Sequence, residues 1–376
     1  MEKFRVGILG ATGAVGQRFV QLLEHHPWFE VAEVAASERS AGKAYVDAAG
    51  WRLDTPLPKA AGGLLVKDLR PNLDCDFVFS GLDSSVAGEA EEEFASAGYP
   101  VISNSRNHRM DADVPLLIPE VNPQHTAILP HQQAARNYLT GFIATNPNCS
   151  AIGLALALKP LEDAFGLEEV FVVTMQAISG AGHSGVAAGA IHDNVIPHIS
   201  GEEEKMEAEP QKILGKLEAQ RFVPAGFRVS AHCNRVPVID GHTEAVSVRL
   251  RRKASLEEVR EAFLSFTAEP QRLKLPFAPA HPILLREEAD RPQPRLDRNA
   301  ENGMAVVVGR LRPCPLADFK FTLLSHNMIR GAAGAAILNA ELLAAQGHLR
   351  RRNGSDAEHK QLLGARALEA GSRRSG

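Results

Sequence analysis

A strand-like run at the start of the chain, Phe4–Leu9 (FRVGIL), enters three evenly spaced glycines, Gly10, Gly13 and Gly16. Apolar residues at helical spacing follow at once over 14–25. Glycine lets the backbone turn sharply and approach a pyrophosphate, whose charge then rests on the N-terminus of the next helix. A glycine triplet alone says little. At the first strand–helix junction of an alternating chain it predicts a Rossmann-type, doubly wound parallel sheet that binds a dinucleotide. Gly10, Thr12, Gly13, Ala14 and Val15 are then the residues expected around the phosphates.

Further strand-like runs at Val31–Ala36, Asp76–Leu82, Pro100–Ser103 and Gly141–Thr145 are separated by helical or loop stretches. That alternation implies a parallel sheet covered on both faces, over 1–148. Strand 2 ends in Ser37-Glu38-Arg39-Ser40. An acid here holds a ribose 2′-hydroxyl, whereas an arginine marks a 2′-phosphate. Glu38 and Arg39 pull opposite ways, and Ser37 and Ser40 add phosphate donors, so NADP is favoured over NAD.

The pattern changes after Cys149. A helix over 150–165 leads to a strand at about Val170–Ile178, then to a polar stretch reaching about Lys216. Alternating runs follow at 243–251, 304–312 and 319–325, with one helix, SLEEVREAFLSF, between the first two. These predict a second, α+β domain, 149–326, with a mixed or antiparallel sheet. Residues 327–346 form a small-residue-rich helix that should pack tightly against another element. Residues 350–376 lack an apolar face and read as a mobile tail.

A chain of 376 residues can bury two cores. Its net charge of −4 offers no basic face for nucleic acid. No apolar run nears the roughly 20 residues that span a bilayer. The start lacks the pattern of a signal peptide, so the cytoplasm is the expected location. The four cysteines lie far apart and form no CxxC pair, so neither a metal site nor a disulfide framework is expected.

The question becomes which cysteine reacts. Phe142-Ile-Ala-Thr-Asn-Pro-Asn-Cys149-Ser150 ends a strand and starts a helix at the thiol. The positive helix end and its N–H groups favour a thiolate and suit an oxyanion. Cys75 precedes a core strand and Cys314 follows one, so both read as packing residues. Cys233 stands near the next motif and is a candidate to line the site without reacting. A cysteine nucleophile needs a base. The segment Asn234–Thr243 offers Arg235, which can fork onto a carboxylate, and His242, which titrates in a useful range. Among 14 histidines, physics alone does not single out His242.

GATGAVG, NPNCS, Gln176–Gly182 and RVPVIDGHT occur together and in this order. The chain thereby resembles the aspartate-semialdehyde dehydrogenases, in their archaeal and fungal branch, over residues 4 to about 346. The resemblance implies roles, position by position. Cys149 attacks the aldehyde, His242 is the acid/base, and Gln176 orients the substrate. Arg235 binds the substrate carboxylate, Glu202 the ammonium, and Arg109 and Lys205 the phosphate. Asn327 approaches the nicotinamide, beside Ser179 and Gly180, and introduces the helix, 327–346, that in the family completes the cofactor domain. Without the family, the acidic run at Glu202 reads as a solvated helix face. His183 and the loop 130–140 depart from the family pattern.

The implied reaction is NADP-dependent reductive dephosphorylation of L-aspartyl 4-phosphate to L-aspartate 4-semialdehyde, through a cysteine thioester. It belongs to lysine, threonine and methionine synthesis. The implied partners are the small substrate, phosphate and further copies of the chain, as a homodimer or homotetramer. Rival readings are reduction of an acyl-CoA such as malonyl-CoA, reduction of N-acetylglutamyl phosphate, and an inert NADP-binding protein.

Overall fold

The computed structural model describes residues 2–182 and 185–351. His183, and the expected tail beyond residue 351, lie outside the described residues.

Six strands form the first sheet: β1 (Phe4–Leu9), β2 (Phe29–Ala35), β3 (Val66–Lys67), β4 (Phe77–Ser80), β5 (Pro100–Ser103) and β6 (Phe142–Thr145). Their order is β3-β2-β1-β4-β5-β6, and every pairing is parallel. β4, β5 and β6 bury every residue, because helices cover both faces of such a sheet. Helix α1 (Ala14–Leu23) packs Phe19, Val20 and Leu23 inward, and α2 (Ser84–Ser96) is capped by the Asp83 carboxylate on the Ser85 N–H. Strand order reverses between β1 and β4. Doubly wound sheets bind ligands at the carboxyl ends of the strands beside that point.

The glycine turn is needed sterically. Gly10 has φ +75°, and a Cβ at Gly16 would lie 2.2 Å from the Gly10 carbonyl oxygen.

Helix α3 (Cys149–Phe165) leaves this sheet and packs on a second one, together with α4 (Glu202–Ile213) and α5 (Leu256–Leu264). After β7 (Leu167–Gln176), strands β8 (Lys216–Glu218) and β9 (Arg221–Val223) form a small hairpin. The larger sheet joins β7 to β10 (Arg228–Arg235), β11 (His242–Leu250), β12 (Ile283–Arg286), β13 (Val306–Pro313) and β14 (Phe319–Ser325). Its order is β10-β7-β11-β14-β13-β12. The β10–β7 and β12–β13 pairs are parallel and the others antiparallel, so the sheet is mixed. One face carries α3 over Val170, Val172, Val246, Val248 and Phe321. The other is open, and Phe171 on it is 45% exposed.

In the larger sheet two strands, and beside it one helix, are not announced by hydrophobic pattern. β10 carries Arg228, His232, Asn234 and Arg235 among its eight residues, and β12 has only four. α4 rises out of the polar stretch before Lys216. The C-terminal helix is also not continuous: Ile329–Ala333 make a π-helical turn before α6 (Gly334–Ala345). The turn presses Gly331 against the start of α3, where a Cβ would lie 2.8 Å from the Cys149 Cβ. α6 returns to the first core with Ala336, Ile337, Ala340 and Leu343.

Candidate active site

The carboxyl ends of β1, β4, β5 and β6 face the end of the second sheet across a cleft of about 500 Å³. Val15 comes from the glycine turn, Leu82–Ser84 follow β4, Asn104–Arg106 follow β5, and Asn148 and Cys149 follow β6. Gln176, Glu202, Lys205, Arg235 and Asn327 close the opposite side.

Cys149 is the first residue of α3 and is only partly exposed. Its Sγ lies 3.1 Å from Nε2 of His242, the first residue of β11, which is fully buried. The Ala177 N–H donates to the other ring nitrogen, Nδ1, at 3.0 Å. Burial, then the Arg235 guanidinium, pull the imidazole down to about 3, against Glu202. Desolvation, then the Glu202 carboxylate, push the thiol up to about 12, against Arg109, Arg235 and Lys205.

Both shifts run toward the uncharged forms, thiol and imidazole, because burial outweighs the nearby charges that oppose it. The helix end is also partly occupied. Asn148 Oδ1 already accepts the N–H groups of Ser150 (3.0 Å) and Ala151 (3.2 Å), which takes two terminal donors away from the sulfur.

One face of α4 forms the polar wall. Glu202, Lys205, Glu209 and Lys212 recur at i, i+3, i+7 and i+10, so they project on one side. Glu202 accepts from Lys205 Nζ at 2.6 Å, Asn148 Nδ2 at 2.9 Å and Gln176 Nε2 at 3.2 Å. Burial raises its pKa, but Lys205, Asn148 and Gln176 outweigh it and hold the carboxyl below its ordinary range. Glu209 bridges two parts of the site: Oε1 accepts from Arg109 Nη1 at 2.9 Å, and Oε2 from the Asn148 N–H at 2.6 Å. Lys212 donates to the carbonyls of Arg109, Asp111 and Val114 at 2.7–2.8 Å, which fixes the loop that carries Arg109. The solvated helix face suggested by composition alone is thus a buried wall.

Arg235 donates from Nη1 to the Ala177 carbonyl at 2.7 Å and still opens onto the cleft. Asn327 accepts from the Gly241 N–H at 2.8 Å and donates to Ser179 Oγ at 2.8 Å. It therefore ties the turn before His242 to the segment around Ser179 and Gly180. Behind it, Arg330 forks onto Glu120 with both contacts at 2.7 Å, fully buried, and anchors the turn holding Gly331.

On the other side, α1 has Gly13 at its N-cap and no side-chain cap, so its first N–H groups are available to an anion. Thr12, Gly13, Ala14 and Val15 are partly exposed there. Ser37, Arg39 and Ser40 lie in the exposed turn after β2, outside the cleft proper.

The structure thus brings Cys149, His242, Gln176, Arg235, Arg109, Glu202, Lys205 and Asn327 together. Cys75 (3% exposed) and Cys233 (1%) are packed in cores, and Cys233 does not line the cleft. Sequence reasoning missed Asn148, Glu209, Lys212, Arg106 and the Arg330–Glu120 pair. The i, i+3, i+7, i+10 spacing beside Met206 and Ile213 was the signal available for Glu209 and Lys212. Among the described residues, no group of side chains suits a metal ion, and no helix is long and apolar enough to cross a membrane.

Comparison with known proteins agrees with this architecture. The family description "Semialdehyde dehydrogenase, NAD binding domain" matches residues 5–128, and "Semialdehyde dehydrogenase, dimerisation domain" matches 158–330. Aspartate-semialdehyde dehydrogenase of Archaeoglobus fulgidus is 51% identical over 91% of this chain and 98% of its own. That of Cryptococcus neoformans is 47% identical over 92% and 98%. The crystal structure of aspartate semialdehyde dehydrogenase with NADP from Candida albicans superposes with a TM-score of 0.85 at 44% identity, covering 93% of this chain and all of that one. The Vibrio cholerae enzyme II, complexed with ASA, gives 0.73 at 29% identity over 92% and 99%. With both of its domains matched and its cleft built from the motifs that carried the resemblance, the chain belongs to the aspartate-semialdehyde dehydrogenase family.

Proposed function

We propose that this protein reduces L-aspartyl 4-phosphate to L-aspartate 4-semialdehyde with NADPH, through a thioester on Cys149. The observation that carries the reading is the Sγ–Nε2 pair at 3.1 Å, set in a cleft walled by Arg109, Lys205 and Arg235. Three cations around one cleft suit a substrate with a carboxylate and a phosphate.

The chain's own residues divide the work. Arg109 and Lys205 receive the phosphate, Arg235 takes the α-carboxylate, and Gln176 orients the acyl group. Glu202 takes the ammonium. To do so it exchanges part of its contact with Lys205, since all its present partners are protein groups. The glycine turn and the uncapped start of α1 fit a pyrophosphate, and Arg39 with Ser37 and Ser40 fits a 2′-phosphate. Asn327, Ser179 and Gly180 would face the nicotinamide end. When bound, the cofactor supplies the hydride that reduces the thioester.

Residues 1–148 with the helical segment 327–346 form the NADP domain in this reading, and 149–326 the catalytic and dimerisation domain. A homodimer, or a tetramer built from it, would cover the open face of the mixed sheet. The reaction is assigned to the cytoplasm, where the thiol stays reduced.

The saturated state of Glu202 leaves acyl-CoA reduction as a second reading, because such a substrate needs no ammonium site. One assay separates the two: NADP reduction by aspartate semialdehyde with and without phosphate, set against NADPH oxidation by malonyl-CoA. Phosphate-dependent turnover of the semialdehyde supports the proposal. Efficient malonyl-CoA reduction without it overturns the proposal.

A further inference from the structure

We propose that Arg106 is a further phosphate-binding residue of the cleft, taking the phosphoryl oxygens that Arg109 and Lys205 leave without a full counter-charge. The inference deepens the reaction proposed above and rests on it for the identity of the anion.

The loop after β5 is fixed almost residue by residue. The Asn104 N–H donates to the Ser80 carbonyl at 3.0 Å, and Asn104 Oδ1 accepts from Asn146 Nδ2 at 3.0 Å. Asn146 also donates to the Ala332 carbonyl at 2.8 Å and accepts from Asn339 of α6 at 2.9 Å. The Ser105 hydroxyl donates to Asn107 Oδ1 at 2.6 Å, and Asn107 Nδ2 donates to the Ser84 carbonyl at 3.0 Å. His108 Nδ1 lies 2.9 Å from Asp111, and Arg109 is tied to Glu209 and to the Asn104 carbonyl.

Arg106 stands in the middle of this run, yet its guanidinium makes no hydrogen bond or ion pair with any described residue. It is exposed and lines the cleft. Asp83 senses its charge, but that carboxylate is engaged by the Ser85 N–H and hydroxyl at 2.9 and 2.7 Å. A fixed loop therefore carries one unshared cation at the cleft.

The other charges around the cleft decide which ligand it suits. Arg109 shares its charge with Glu209 at 2.9 Å, and Lys205 with Glu202 at 2.6 Å. Arg235 donates to the Ala177 carbonyl and forms no ion pair among the described residues, which leaves its charge for the substrate carboxylate. Phosphate carries roughly −1.5 to −2 at pH 7. Two cations already paired with protein carboxylates offset that only in part. Arg106 comes from the same loop as Arg109, and its guanidinium can fork onto two phosphoryl oxygens. It has no protein partner to give up on binding, whereas Arg109 and Lys205 do.

The cofactor pyrophosphate is the other phosphate chemistry nearby, and the start of α1 receives it. β5 is two strands from β1 in the sheet, roughly 10 Å at the usual strand spacing. Arg106 and the glycine turn therefore serve different phosphates.

The test measures both phosphates in Arg106→Ala and Arg106→Lys. Arg106→Ala should raise the KM for inorganic phosphate about tenfold, the low end for a charge-assisted contact because the group is exposed. Arg106→Lys, which keeps the charge and loses the fork, should raise it about threefold. The KM for NADP, and the rate of the NADPH burst formed before phosphate is added, should stay within about twofold of wild type. The phosphate KM of the alanine variant should also rise less steeply with added salt. An unchanged phosphate KM overturns the proposal. So does an NADP KM that rises as much, which would assign Arg106 to the pyrophosphate, or a slowed burst, which would assign it to the semialdehyde. Calorimetric titration of inorganic phosphate into NADP-saturated protein gives a second readout without turnover. The alanine variant should bind about tenfold more weakly, and equal affinities overturn the proposal. If the wild type failed to turn over aspartate semialdehyde, the reaction would be wrong, while the titration would still decide whether Arg106 binds phosphate.

Discussion

On one side of the cleft, the Gly10–Gly16 turn and the uncapped start of α1 present main-chain N–H groups over a few consecutive residues. On the other, α4 presents Glu202, Lys205, Glu209 and Lys212, each held by partners up to about a hundred positions away, as Arg109 and Glu209 are. The first wall binds through a backbone path that only glycine permits, and most side chains around it can change without consequence. The second is a network of buried charges. Removing one member leaves another charged and unpaired in a site that excludes water, so the loss exceeds the strength of any single contact. Substitutions in the two walls should therefore differ in kind: coupled losses of binding, chemistry and stability on the α4 side, and isolated changes in cofactor affinity on the other.

The largest expected effect falls where the two walls meet. Cys149→Ser should lower turnover by roughly 10³-fold or more, while NADP affinity measured by fluorescence titration stays within about twofold, since the thiol makes no contact with the glycine turn. Near-normal turnover in that variant would remove the nucleophile from the account.

Glu209→Ala comes next. It strips the acceptor from both Arg109 and the Asn148 N–H, and breaking such a buried pair costs about 3–5 kcal/mol. Thermal unfolding should show that loss, and the KM for phosphate should rise as kcat falls. Unchanged stability together with unchanged phosphate binding would show that the two walls do not differ as described.

Glu202→Gln should lower kcat/KM for aspartate semialdehyde by about 10- to 150-fold, the worth of one charge-assisted contact. The phosphate KM should move less, because Arg109 and Lys205 remain. Lys205→Ala should invert that pattern. A Glu202→Gln variant with full activity toward the semialdehyde would turn attention to substrates without an ammonium.

The smallest effect belongs to the exposed turn after β2. Arg39→Ala should raise the KM for NADP about tenfold and that for NAD hardly at all. Equal rises for both would mean that Arg39 does not read the 2′-phosphate and that Glu38 sets the preference.

The same contrast explains what could be read from sequence. The glycine turn, strands β1, β5 and β6, and the position of Cys149 at a helix start are local patterns of a few residues, and the structure places them where the pattern does. Glu209, Lys212 and the Arg330–Glu120 pair acquire their roles through contacts across 100, 98–103 and 210 positions, which no local window contains. β10 was hidden because it carries the polar groups that serve the site, among them Arg235, in place of an apolar alternation. The π-turn at Ile329–Ala333 was hidden because its cause, the approach of Gly331 to Cys149, is tertiary. At the thiol, the helix end is visible in NPNCS, but the use of its N–H groups by Asn148 and the burial that pushes the thiol up are not.

The central claim is that chemistry runs through an acyl group on Cys149. It can be tested by mixing enzyme, NADP and aspartate semialdehyde in the absence of phosphate and following absorbance and intact mass together. The account predicts a rapid burst of NADPH, at most one equivalent per active site, that then stalls, with the acyl mass on the peptide containing Cys149 and turnover resuming when phosphate is added. Steady NADPH formation without phosphate and without a covalent adduct, or an adduct on Cys75, Cys233 or Cys314, would contradict it.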